Sequence, residues 1–129
     1  MLYVYVGLAG AVGALARYGL GLLVDSFGTS PFPVATLLIN LIGSFLLGWM
    51  THRFLQTGKF SPQLVTIVGT GMIGSFTTFS TFSVETIQLV ENGYVLLAIS
   101  YVFLSITFGL SSSWLGYRIG TKATRGEVE

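Results

Sequence analysis

The sequence contains no cysteine and only one histidine in 129 residues. Without thiols the chain has no thiolate ligands for a metal, no site for covalent haem attachment and no cysteine nucleophile. A single histidine also excludes zinc sites of the HExxH type, which need two. These absences exclude thiol chemistry and histidine-based metal hydrolysis as functions of this protein.

Charge is scarce too, because only 9% of the residues are Asp, Glu, Lys or Arg and the formal net charge is +1. An average soluble domain carries about 25% charged residues, and a small domain needs them to cover its surface. Hydrophobic residues make up 52% of the chain, which excludes a disordered protein. The near-neutral balance offers no basic surface for nucleic acid. The composition therefore indicates an integral membrane protein, with the lipid bilayer as a partner.

Long runs without charge divide the chain into four segments. A helix needs about 20 mostly apolar residues to cross a bilayer. The predicted spans are roughly 2–24, 33–53, 63–91 and 94–117, and Arg17 is the only charge deep within the first. The connections are short, so we expect a single membrane domain over residues 1–129 with a polar tail at 118–129. The predicted fold class is all-α, with four transmembrane helices per subunit.

The third predicted span concentrates glycine and hydroxyl residues between Gly69 and Ser83. Glycine weakens a helix, and Ser and Thr side chains compete for its backbone hydrogen bonds. Interrupted backbone within a membrane is tolerated only where protein buries it or water lines it, and freed carbonyls can bind a small cation. We therefore predict a break in the third helix near Gly74 to Thr78, close to mid-membrane, with a cation held by carbonyls.

Three kinds of side chain within the first three spans are candidates for an ion path. The amide of Asn40 serves either as a link between helices or as a donor to an anion. Phe79 and Phe82 share a helix face, where positively polarised ring edges can flank an anion, although such pairs are more often packing residues. Arg17 either reaches the membrane surface or attracts anions at a pore entrance.

The fourth span and the end of the third add further candidates. Tyr101 and Ser105 lie four residues apart and share a face, so they either link helices or line the same path. Glu85 and Glu91 are expected at the membrane surface, and a position lining a vestibule is the alternative for Glu85.

Three segments together resemble the Fluc (CrcB) family of microbial fluoride channels: residues 10–18 (GAVGALARY), 40–48 (NLIGSFLLG) and 71–82 (GMIGSFTTFSTF). They occur in the family's order, so the resemblance covers essentially the whole chain. It implies an antiparallel, dual-topology dimer of four-helix subunits with two fluoride pores, each lined by both chains. The implied function is passive export of cytoplasmic fluoride, which relieves fluoride toxicity without enzymatic activity.

The resemblance also implies roles for single residues. The side chains implied to line the fluoride path are Asn40, Phe79, Phe82, Ser80, Thr81, Tyr101 and Ser105. Arg17 corresponds to the family's first-helix arginine, which we place at the anion vestibule. The carbonyls of Gly74 and Thr77 are implied to hold a structural sodium ion (Na+) on the dimer axis, with fluoride as the transported ligand.

The distribution of positive charge bears on the partner. Five basic residues are predicted on the side of the termini: Arg53, Lys59, Arg118, Lys122 and Arg125. This excess favours a fixed orientation with the termini in the cytoplasm, whereas a dual-topology homodimer should show little bias. The expected partner is a second copy of this chain, and the alternative is an oppositely oriented paralogue in a heterodimer. The expected location is the cell membrane of a bacterium, as a multi-pass protein.

Two other functions compete with the channel. A small four-span multidrug transporter coupled to protons needs a carboxylate in mid-membrane, and the first span contains none. A non-transporting accessory subunit would tolerate replacement of Asn40, Phe79 and Phe82.

Overall fold

A computed structural model describes residues 1–28, 30–56, 58 and 60–125. Within these residues every regular element is helical and no strand occurs. The α-helices are α1 (Leu2–Asp25), α2 (Val34–Met50), α3 (Pro62–Thr66), α4 (Gly74–Phe76), α5 (Phe79–Glu91) and α6 (Val95–Arg125), and two π-helical segments cover Thr51–Gln56 and Ile67–Ile73. The predicted all-helical class is confirmed.

Four helical stretches are long and apolar enough to cross a membrane: Leu2–Asp25, Val34–Phe54, Pro62–Glu91 and Val95–Thr121. They lie close to the four spans predicted from the charge-free runs. Many of their large hydrophobic side chains are exposed, as expected for helices that face lipid rather than water. Helix α6 continues through residues 118–125 of the predicted polar tail, and residues 126–129 lie outside the described part of the chain.

A tight turn joins α5 to α6, and the buried core cluster lies next to it. Gly93 has a φ of 82°, a left-handed conformation that glycine adopts at helix C-termini without strain. The turn lets the two helices run back along each other. Leu89, Ala98 and the fully buried Tyr101 form the core cluster of this pair. The turn therefore places Tyr101 beside α5, the helix that carries Phe79 and Phe82.

Glycines allow the other helices to approach backbone to backbone. A Cβ added at Gly48 would overlap the carbonyl oxygen of Ser113, and one at Gly116 would overlap the carbonyl oxygen of Phe45. These two contacts join α2 to α6 in both directions. Gly13 of α1 lies just as close to the π-helical segment of the third span. Since lipid gives helices no hydrophobic reason to associate, close packing at small residues supplies the attraction.

The third span is not one regular helix. Its α-helical start at Pro62–Thr66 passes into the π-helical segment Ile67–Ile73 and then into the short helix α4. The backbone is extended at Thr77, with φ −76° and ψ 159°, and at Thr78, with φ −148° and ψ 125°. Helix α5 begins at Phe79. The depth of this interruption in a bilayer stays a prediction.

Candidate functional site

The extended backbone at Thr78 is held by a side chain from another helix. The Asn40 Nδ2 donates to the Thr78 carbonyl oxygen at 2.9 Å, and the Thr78 N–H donates to the Asn40 Oδ1, also at 2.9 Å. The amide thus makes the two hydrogen bonds that a neighbouring peptide group would make. A buried backbone without such partners is costly, so Asn40 stabilises the interruption in the third span.

The hydroxyl of Thr78 starts the helix that follows. It accepts a hydrogen bond from the Thr81 backbone N–H at 3.2 Å, as an N-cap side chain does. It also donates to the Thr81 Oγ1 at 2.9 Å and lies 3.4 Å from the Ser80 Oγ. Two of the predicted polar pore groups, Ser80 and Thr81, therefore meet at the start of α5.

A groove of about 400 Å³ opens beside the interruption. Several predicted path and cation residues line it, namely Asn40, Gly74, Thr77, Phe79, Phe82 and Ser105. The ring centroids of Phe79 and Phe82 are 5.9 Å apart at an interplanar angle of 38°. Phe79 is 80% exposed, so its ring covers only the edge of the groove within one chain.

Tyr101 lies behind this groove and does not line it. Its ring packs against Phe82 at 5.0 Å and edge-on against Phe32 at 5.5 Å between centroids. Its hydroxyl donates to the Glu85 Oε2 at 2.8 Å. Tyr101 therefore supports Phe82 with its ring and binds a carboxylate with its only hydroxyl proton.

Thr36 is a functional candidate that the sequence interpretation missed, and it contacts Glu85. The Thr36 Oγ1 donates to the Glu85 Oε1 at 2.8 Å, and Thr36 is buried. Each carboxylate oxygen thus accepts one hydroxyl proton. Helical spacing could have identified both residues. Thr36 lies four residues before Asn40 and Glu85 lies four after Thr81, so each shares a helix face with a residue predicted to line the path. Glu85 is half-buried and lines the larger of two cavities, as expected if it lines a vestibule; its depth in the membrane stays a prediction.

A second, larger cavity of about 600 Å³ also has Thr78 in its lining. Arg17, Thr36, Thr81 and Glu85 all line it. Arg17 is half-buried on the wall of this cavity. Thr78, whose backbone bonds the Asn40 amide, is the residue that the two linings share.

Two carbonyls near the interruption lose their helical partners. In an unbroken helix the Gly74 carbonyl would accept from the Thr78 N–H, but that N–H donates to Asn40. The Thr77 carbonyl would accept from the Thr81 N–H, but that N–H donates to the Thr78 hydroxyl. Both residues line the smaller groove. These are the carbonyls predicted to hold sodium. Among the described residues no group of three His, Cys, Asp or Glu side chains could hold a metal ion instead.

Comparison with known proteins settles the family. The family model described as CrcB-like protein, Camphor Resistance (CrcB), matches residues 4–117. The chain belongs to the CrcB-like family. The resemblance read from the three sequence segments is thereby confirmed.

Similar curated proteins cover this CrcB-like chain almost end to end. "Fluoride-specific ion channel FluC 1" of Bacillus cereus is 52% identical over 120 residues, 93% of this chain and 88% of the relative. "Fluoride-specific ion channel FluC 2" of Geobacillus kaustophilus is 50% identical over 117 residues, 91% of each chain. "Fluoride-specific ion channel FluC 2" of Listeria innocua is 44% identical over 125 residues, 97% of this chain and 95% of the relative.

These matches place the CrcB-like chain among ion channels rather than enzymes. Its four apolar helices and its bacterial relatives make it a multi-pass protein of the bacterial plasma membrane. The names of these relatives carry the numbers 1 and 2. The roles of the single site residues stay predictions.

Proposed function

We propose that this protein is a passive fluoride channel through which cytoplasmic fluoride leaves the cell. The groove lined by Asn40, Phe79, Phe82 and Ser105 supports the proposal, in a chain whose relatives are named fluoride-specific ion channels. A negative-inside membrane potential drives anion exit with about 2.3 kcal/mol per charge per 100 mV. No coupled reaction is needed.

The lining of the groove suits an anion that must pass without being trapped. No charged side chain of the described residues lines it, and binding that is too tight stops conduction. The Asn40 amide uses one of its two N–H bonds on Thr78 and has a second for the anion. The edges of Phe79 and Phe82 add weak positive potential. Ser105 supplies a hydroxyl to the same lining.

The route continues into the larger cavity past the hydroxyls at the start of α5. Ser80 and Thr81 lie at that start, and Thr81 lines the cavity together with Arg17. A guanidinium at a pore mouth raises the local anion concentration. The proposed path therefore runs from the Arg17 vestibule along Thr81 and Ser80 to the phenylalanine groove.

A second chain is required to close the pore. Phe79 is 80% exposed and the groove is open within one chain. We assign the missing wall to a second copy of this chain in an antiparallel, dual-topology dimer, which would contain two such grooves and hence two pores. An oppositely oriented paralogue is the alternative partner.

The Gly74 and Thr77 carbonyls would hold a structural sodium ion on the dimer axis. Neutral carbonyl oxygens are ligands that hard cations accept, and both carbonyls lack the helical donors of an unbroken span. If sodium binds the folded state, the unfolding temperature of purified protein rises in sodium chloride relative to N-methylglucamine chloride. Ligand excess of about 100-fold over Kd stabilises by about 2.7 kcal/mol. Equal unfolding temperatures in the two salts would contradict the sodium site.

Fluoride efflux from liposomes containing the purified protein tests the function, with chloride-loaded liposomes as the control. We expect fluoride to leave and chloride to stay. Phe79→Ile removes a ring edge while keeping a large apolar side chain, so it should lower fluoride efflux strongly. Equal passage of both ions, or of neither, is incompatible with a fluoride channel. Unchanged efflux in Phe79→Ile contradicts the role of the ring and leaves the function standing.

A further inference from the structure

We propose that the Glu85 carboxylate is a tethered anion that occupies a fluoride site formed by the Thr36 and Tyr101 hydroxyls. The inference rests on the proposed fluoride channel and adds a binding site to its route. In this view fluoride must displace the carboxylate to bind both hydroxyls.

Both hydroxyls use their proton on Glu85. A threonine or tyrosine hydroxyl has one proton to donate, and both protons point to Glu85, each over 2.8 Å. Tyr101 therefore cannot serve as an anion donor while the carboxylate is in place. A fluoride ion and a carboxylate oxygen are both anionic acceptors of such protons, so the two compete for the same pair of donors.

The two donors are fixed, whereas the carboxylate can move. Tyr101 is fully buried, and its ring is held between Phe82 and Phe32. Thr36 is 6% exposed and has a single side-chain torsion that moves its hydroxyl. Glu85 is half-buried on the wall of the larger cavity and turns about three side-chain bonds. When Glu85 turns into the cavity, the hydroxyls stay behind as an open pair of donors.

The charges around the larger cavity support the same conclusion. Its charged lining residues are Arg17, Asp25 and Glu85, one cation and two carboxylates. Such a lining repels a second anion next to Glu85. Fluoride occupancy between the hydroxyls therefore requires the carboxylate to leave, and Arg17 is the cation on the cavity wall toward which it can turn.

The test compares fluoride efflux over a range of fluoride concentrations for Glu85→Gln and the matched control Glu91→Gln. Both variants remove one negative charge from α5, but Glu91 is exposed at the helix end. A neutral amide is the weaker competitor, so Glu85→Gln should lower the half-saturating fluoride concentration about tenfold, as expected when a hydrogen bond to a charged group is released. The control should leave it unchanged. The maximal rate should fall or stay, because tighter binding slows release.

Further variants separate this role from a structural one. Adding Thr36→Val to Glu85→Gln removes one donor and should cancel the gain in affinity. Glu85→Asp retracts the carboxylate from one hydroxyl and should shift the half-saturating concentration in the same direction as Glu85→Gln, so it replaces that variant if the latter does not fold. A half-saturating concentration within twofold of the parent's in both, or an equal shift in Glu91→Gln, overturns the inference alone. Absence of efflux in the parent protein overturns the channel and this inference with it.

Discussion

Asn40 acts on the protein's own backbone before it can act on an anion. Its amide bonds both the carbonyl and the N–H of Thr78, so the residue shapes the interrupted third span. Sequence interpretation left two roles open for Asn40, a link between helices and an anion donor. The geometry shows the link to Thr78, which uses one N–H bond. The second N–H leaves room for the anion, and that role stays a prediction.

Replacement of Asn40 by Asp tests whether the amide donor is needed for stability and for fluoride efflux. Aspartate keeps an acceptor for the Thr78 N–H but places a carboxylate against the Thr78 carbonyl, where a donor is required. We expect a loss of about 1–3 kcal/mol of stability and a strong loss of fluoride efflux. Thermal unfolding in detergent and liposome efflux measure the two effects.

Asn92→Asp is the matched control for the stability measurement. Asn92 is exposed at the end of α5, where its Nδ2 donates to the Gln88 carbonyl oxygen at 2.7 Å. An exposed substitution of this kind changes stability by no more than about 0.5 kcal/mol. If Asn40→Asp lowers the unfolding free energy no more than Asn92→Asp does, the bonds between Asn40 and Thr78 do not stabilise the interrupted third span.

Residue types in the site were readable from the sequence, but their pairings were not. Asn40, Phe79, Phe82 and Ser105 line one groove as a set, although their individual roles stay predictions. Tyr101 was expected to line the path, yet its hydroxyl binds Glu85. A partner 16 residues away on another helix depends on how α5 and α6 pack, which no local spacing encodes.

At the scale of elements, local sequence patterns predicted one irregularity of the third span and missed another. Its glycines and hydroxyls indicated a weak helix, and the backbone is extended at Thr77 and Thr78. The π-helical segments Thr51–Gln56 and Ile67–Ile73 were not predicted. A π-helix depends on one extra residue in a turn, and close packing against a neighbouring helix decides whether that turn is kept.

The start of α5 depends on one hydroxyl, so Thr78→Val should destabilise it. Valine preserves the branched shape but removes the N-cap acceptor for the Thr81 N–H, at a cost of about 0.5–2 kcal/mol. The unfolding temperature in detergent reports the change. Thr66→Val is the control in the same span, since its hydroxyl donates to the Pro62 carbonyl on an exposed surface. Equal effects of the two variants would show that the cap has no special role.

At the scale of the whole molecule, the surface of one chain is incomplete as a pore. Phe79 is largely exposed, and the groove beside it has one open side. Close glycine contacts bring the helices of one chain together at Gly13, Gly48 and Gly116. The proposed conducting unit therefore has at least two chains, and their relative orientation is the main question.

The absence of cysteine makes that orientation directly measurable. Ser30→Cys and Gln63→Cys place single thiols at exposed positions on opposite ends of the helices. In a dual-topology homodimer, a membrane-impermeant thiol reagent applied to intact cells should label about half of the molecules of each variant, since either end faces outward equally often under that arrangement. Full labelling of one variant and none of the other would indicate a fixed orientation and a paralogous partner.

The bonds between Asn40 and Thr78 also have a consequence for biosynthesis. The chain is made from its N-terminus, so the second span is available in the membrane before residue 78 is synthesised. The third span, emerging alone, would have no partner for the Thr78 backbone and would gain most from a continuous helix. The third span therefore acquires its interrupted shape when it docks onto the second span. The second span precedes it in the chain, so it is already inserted at that moment.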